Sequence, residues 1–174
     1  MKKKIIFTTI FFIILLFVFV NTLYAKSENF GNWKYYTEQN PIYEGIDLKI
    51  FGLSHKPKSR HVLSLELGSE GYYILMFKRH EKLKEGNYKL VYKFDDGDIY
   101  EGHWNQLSPH QFEFTAGFDK FKNFLINMLN SKELYFGHRL ENRPMETTTF
   151  KLDNFNKTIE PYLDDFGLES IKNK

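Results

Sequence analysis

Several side chains are of the types that chemistry needs, and their spacing decides what they can do. Ser108-Pro109-His110 sets a hydroxyl beside an imidazole, the pair from which a serine hydrolase builds nucleophile and base. Neighbours on an extended chain point apart, however. No Gly-x-Ser-x-Gly elbow occurs, and there is no Cys to act as nucleophile. The three residues therefore read as a turn before a strand beginning at Phe112. Asp95, Asp96, Asp98 and Glu101 look like part of a calcium loop. A helix-loop-helix site needs acids at alternate positions, Gly at the sixth and Glu at the twelfth. Here the acids are crowded and lie between two strand patterns, so a solvated hairpin turn is expected. Glu66, Glu101 and Glu113 fall on strand patterns and are the material for a glycosidase carboxylate pair. Spacing along the chain sets no distance between them.

Metal ligation has little to work with. His55, His61, His80, His103, His110 and His138 form no H-E-x-x-H pair or other dense ligand spacing, and scattered surface or sheet-edge positions are expected for them. Lys78-Arg79-His80-Glu81-Lys82 reads as a solvated loop between strands. Asn156-Lys157-Thr158 is a formal glycosylation triplet, but it sits at a helix start. The aromatics are more informative. Trp33, Trp104, Tyr35, Tyr36, Tyr72 and Tyr73 belong by default to a core. Yet adjacent residues on a strand face opposite sides, so Tyr35-Tyr36 and Tyr72-Tyr73 must each send one ring outward. Core packing stays the leading reading, an outward aromatic surface for a protein partner is the alternative, and the binding residues are unknown. No catalytic, cofactor-binding or metal-binding residue is assigned.

These residues are carried by elements with short-range signals. Trp33 to Thr37 is a first extended run. Ile46, Leu48 and Ile50 alternate with Asp47 and Lys49 in a strand over Ile46–Leu53. Val62–Leu67 puts Leu63, Leu65 and Leu67 on one face. Gly68-Ser69-Glu70-Gly71 turns the chain into Tyr72–Phe77, which is apolar on both faces and so central. Tyr88, Leu90, Tyr92 and Phe94 share a face, Asp95-Asp96-Gly97-Asp98 closes a hairpin, and Ile99–Trp104 returns. Phe112–Thr115 adds a short strand. From Gly117 to Asn130 the period becomes helical, with Phe118, Phe121, Phe124, Leu125, Met128 and Leu129 on one stripe. Strands over Leu134–Leu140 and Thr147–Leu152 follow. Asp153 or Asn154 caps a last helix whose stripe is Phe155, Ile159, Tyr162, Leu163 and Phe166. Pro161 must break or kink it, and Gly167 ends it. The order predicts an α+β fold: a mainly antiparallel sheet or sandwich with two helices packed on it.

The N-terminal pattern predicts a domain outside the cytoplasm. Lys2, Lys3 and Lys4 precede an apolar run from Ile5 to Val20, broken only by Thr8 and Thr9, and Thr22-Leu23-Tyr24-Ala25 supplies a cleavage end. Residues 1–25 are thus expected to be a signal peptide and residues 26–174 a single β-rich domain, periplasmic or secreted. An uncleaved anchor over residues 5–25 is the alternative, since ~16–20 apolar residues approach the length needed to span; the domain would then hang from the inner membrane, outside it. With no Cys, a lipoprotein is excluded and no disulfide can form. Setting aside Lys2 to Lys4, 21 positive charges face 22 negative ones, a net of −1. That balance excludes a dedicated nucleic-acid binder. A chain 42% hydrophobic and 18% aromatic is not disordered.

A sequence of short motifs gives a family likeness. Trp33 leads to Asn40-Pro41-Ile42-Tyr43; Tyr92-Lys93-Phe94-Asp95 precedes Trp104 and Ser108; a helix runs from Phe118 to Leu129; and Phe150-Lys151-Leu152 enters the final helix. In this arrangement the chain resembles small exported bacterial proteins of the VasI kind, associated with type VI secretion. Phe30-Gly31-Asn32-Trp33 and the same closing segment are also similar to the invasion-associated locus B family. Such families commonly carry cysteines, which this chain lacks. Neither resemblance supplies catalytic residues. Both imply an exported, non-enzymatic accessory protein whose partner is another envelope or secreted protein. Two rivals stay open: an inhibitor or immunity protein inserting a loop such as His55–Arg60 or Lys78–Lys84 into a cleft, and an envelope hydrolase built on strand carboxylates.

Overall fold

The computed structural model describes residues 25–40, 45–54, 61–79, 88–102, 104–141 and 143–171. Nine strands come first: β1 Ala25–Phe30, β2 Trp33–Asn40, β3 Gly45–Leu53, β4 Val62–Leu67, β5 Tyr73–Lys78, β6 Tyr88–Phe94, β7 Tyr100–Glu101, β8 Trp104–Ser108 and β9 Gln111–Phe114. Helix α1, Phe118–Asn130, is followed by β10 Glu133–Leu140, β11 Glu146–Lys151 and helix α2, Phe155–Ile159. Three 3-10 turns finish the described chain. All pairings are antiparallel, in a seven-stranded sheet ordered β1-β2-β3-β4-β5-β9-β8 and a four-stranded sheet ordered β11-β10-β6-β7. The fold is α+β, as expected.

Period-two patterning builds the core. Tyr35, Leu48, Ile50, Leu63, Leu65 and Leu67 point inward from β2, β3 and β4. The two sheets meet face to face through aromatic rings. Phe77 of β5 stacks on Phe136 of β10 with centroids 4.1 Å apart and meets Phe150 of β11 edge-on at 6.2 Å. Trp33 closes a corner by donating Nε1–H to the Lys151 carbonyl at 2.8 Å. Its ring lies across its cross-strand partner Gly52, where a Cβ would stand 2.4 Å from the indole; only glycine permits that approach. Helix α1 lays Phe124 against Tyr92, Phe94 and Phe114 and Phe121 against Tyr73.

Several local expectations change. The polar strand β1 was not anticipated; it pairs with β2 across Gly31-Asn32. The run Ile99–Trp104 is not one strand. Gly102 takes φ +91°, a conformation that L side chains rarely adopt, and there the chain leaves β7 in one sheet and enters β8 in the other. The α1 stripe is narrower than its pattern: Phe118 is exposed and Leu129 half-buried. Asn154 stands at the start of α2 but makes no side-chain cap and sits at φ +64°. Pro161 does break the last helix, which becomes 3-10 from Glu160, and Gly167 at φ +65° ends the next turn.

Candidate functional site

Strands β1, β2 and β3 present their outer face as a groove of about 670 Å³. Alternation explains its lining. Trp33, Tyr35, Leu48 and Ile50 turn inward, so Lys34, Tyr36, Lys49 and Phe51 must turn outward. Leu53 extends the apolar floor, and Asn29 and Glu38 complete the walls. Tyr36 and Phe51 meet edge-on at 5.8 Å, and the Lys34 ammonium lies 4.6 Å above the Tyr36 ring, a cation–π contact. Tyr36 is 37% exposed and Leu53 48%. Exposed apolar side chains are thus gathered on one face and ringed by charge. Tyr36 fulfils the expectation that one ring of the Tyr35-Tyr36 pair faces out. Phe51 and Leu53 went unnoticed, although Ile50-Phe51 is the same kind of signal.

The remaining aromatics serve the interior. Trp33 and Tyr35 are buried, Tyr35 against Tyr162 at 5.6 Å. Trp104 is half-buried between Phe114 and Phe136. Tyr73 donates its hydroxyl to the Ala116 carbonyl at 2.9 Å, and Tyr72 is half-buried. Ser64, on the face of β4 opposite Leu63 and Leu65, is fully buried between its cross-strand neighbours Phe51 and Met76.

A polar cluster lies inside the sandwich. Arg79, expected in a solvated loop, buries its side chain to 8% exposure. Its Nη1 hydrogen-bonds His138 Nε2, and its Nη2 donates to Glu146 Oε2 at 3.0 Å. His138 is 2% exposed and His61 5%, with ring centroids 6.2 Å apart, and His61 stacks on Phe77 at 5.3 Å. The surface positions expected for these two histidines are therefore wrong. Burial above all, then Arg79, lowers the His138 pKa to about 4, against a raising effect of Glu146 and with a further lowering by His61. The ring is thus neutral at pH 7, and by accepting from Arg79 at Nε2 it carries its proton on Nδ1.

The acids are dispersed. Asp95 sits at φ +44° and accepts the Lys132 and Glu133 amides at 3.0 Å and 2.8 Å. Glu101 pairs with Lys89 at 2.6 Å. Glu66 and Glu113 lie on strands either side of β5, while Glu101 belongs to the other sheet. A second concavity, about 500 Å³, gathers Asp95, Asp96, Glu133 and Asp153, where Tyr135 donates its hydroxyl to Glu133. Among the described residues no three His, Asp or Glu side chains are placed to hold a metal ion. Ser108 and His110 meet through the His110 amide donating to Ser108 Oγ at 3.2 Å, the closure of a turn, as expected. Thr158 of the glycosylation triplet is buried, its Oγ1 bonded to the Phe155 carbonyl. His55, His80, His103, the segment His55–Arg60 and residues 80–84 lie outside the described residues, as do residues 1–24.

No protein-family model and no curated protein matches the chain. Among solved structures, the crystal structure of invasion associated protein B from Bartonella henselae is similar: TM-score 0.57 at 12% identity, covering 86% of this chain and 99% of that one. The likeness is to the second family that the sequence resembles. At this identity what the two chains share is the fold.

Proposed function

We propose that the chain is an exported, non-enzymatic accessory protein that holds another envelope or secreted protein on the outer face of β1–β3. The observation that carries the reading is the groove itself: exposed Tyr36 and Leu53 flank a half-buried Phe51 beside Lys34 and Lys49. Rigid aromatic anchors ringed by charge are what protein interfaces concentrate. A fold shared with an invasion-associated protein, the leader-like residues 1–25 and the likeness to VasI-type proteins support export and a link to a secretion or envelope apparatus. No bond-making step is assigned to any residue. Affinity purification from envelope extracts tests this, with wild type and the triple variant Tyr36→Ser, Phe51→Ser, Leu53→Ser as paired baits. The expected result is a partner kept by wild type and lost by the variant; the same partner on both baits, or none on either, counts against it. Sequencing the N-terminus of the exported form separates cleavage after Ala25 from a retained anchor.

A further inference from the structure

The sheet edges differ in how they end. Strand β8 carries a bulge between Gln106 and Ser108, β7 is two residues long, and the Lys151 carbonyl of β11 is taken by Trp33. Bulges, short strands and covered groups all discourage further pairing. Strand β1 has none of these devices. It pairs with β2 at six consecutive positions without a register shift, and among the described residues nothing pairs with its other side.

Register fixes which groups that edge offers. Phe30 and Trp33 flank a two-residue loop, whose first residue, Gly31, has φ +65°, as a mirror-image hairpin turn demands. Phe30–Trp33 is then a hydrogen-bonded pair, and alternation makes Glu28–Tyr35 and Lys26–Thr37 the others. The amides and carbonyls of Ala25, Ser27 and Asn29 point away from β2. Lys26 and Glu28 flank Ser27 on one face, already paired at 2.7 Å.

From this edge we infer that β1 pairs antiparallel with β1 of a second copy about a two-fold axis at Ser27. In that register Ser27 faces Ser27 in a hydrogen-bonded pair that survives cleavage after Ala25, and a chain that keeps Ala25 adds a hydrogen-bonded Ala25–Asn29 pair on each side. Lys26 of each copy lies opposite Glu28 of the other, so the charges that would repel a random strand are self-complementary. The axis is perpendicular to the sheet, so both grooves open on the same side of one continuous sheet. The paired area is below that of a standard interface, and association is expected between ~10 μM and ~1 mM. The inference is independent of what the groove binds.

Because the chain contains no Cys, single cysteines report on it cleanly. With the chain expressed behind its own N-terminal segment, Ser27→Cys is expected to form a disulfide-linked dimer under mild oxidant, since hydrogen-bonded antiparallel pairs hold their Cα atoms ~5.5 Å apart. Glu66→Cys, on the same outer face three strands further in, is expected to stay monomeric. In sedimentation, Lys26→Glu or Glu28→Lys should each weaken association about tenfold or more, and the double swap should restore it to within about threefold. These side chains are exposed, and circular dichroism confirms that each variant is folded. Ser27→Cys linking no faster than Glu66→Cys, wild type remaining monomeric at ~1 mM, or a swap that does not restore pairing would each overturn the inference.

Discussion

The inter-sheet cluster around Arg79 and the outer groove around Tyr36 break the same rule in opposite senses. One buries a guanidinium and two imidazoles; the other leaves Tyr36 and Leu53 in solvent. Their partners separate them. Arg79 reaches His138 and Glu146 and so ties β5 to β10 and β11, an arrangement that stabilises the sandwich only while each group keeps its bond. The groove side chains touch one another and Lys34, with Tyr36 and Leu53 open to solvent. A buried polar group with partners is architecture, whereas the exposed apolar set is where the proposed partner would sit.

The strongest way to break the contrast is through the core that both regions share. Phe77→Ala should lower stability by about 3–5 kcal/mol in denaturant titration, because Phe77 is fully buried between the sheets. Next in size is the acid sensitivity of the cluster. The His138 pKa lies near 4 when folded and near 6.5 in an unfolded chain. The unfolded state therefore binds the extra proton between these values. Stability is complete above pH 6.5 and falls as pH drops towards 4, by at most about 3 kcal/mol. His138→Gln keeps an acceptor for Arg79 but cannot titrate, and should flatten that slope. Smaller again, Asp95→Ala removes the acceptor of two backbone amides and should cost about 1–3 kcal/mol. Smallest in stability is the groove triple variant, expected to stay within ~0.5 kcal/mol of wild type per substitution while losing its partner.

What could be read from the chain follows how local the signal is. Leu63, Leu65 and Leu67 announce a buried face by alternation alone, and Pro161 and Gly167 mark their breaks by backbone geometry. Strand β1 has no such pattern: Lys26-Ser27-Glu28-Asn29 is polar throughout and becomes a strand because β2 lies beside it. Arg79 looked solvated because its acceptor His138 is 59 residues away. The switch between sheets at Gly102 was equally hidden, since Tyr100 and Trp104 look alike in a β pattern and differ only in the sheet they join. In the groove, the outward turn of Tyr36 was legible from its neighbour Tyr35. The depth of the concavity was not, because it depends on three strands and their register.

The central claim, that the outer face of β1–β3 does the binding, is tested most directly by titrating the captured partner against wild type and the Tyr36→Ser, Phe51→Ser, Leu53→Ser variant at equal folded concentration. Affinity should fall about 100-fold or more with an unchanged circular dichroism spectrum. Equal affinity for the two proteins would contradict the account.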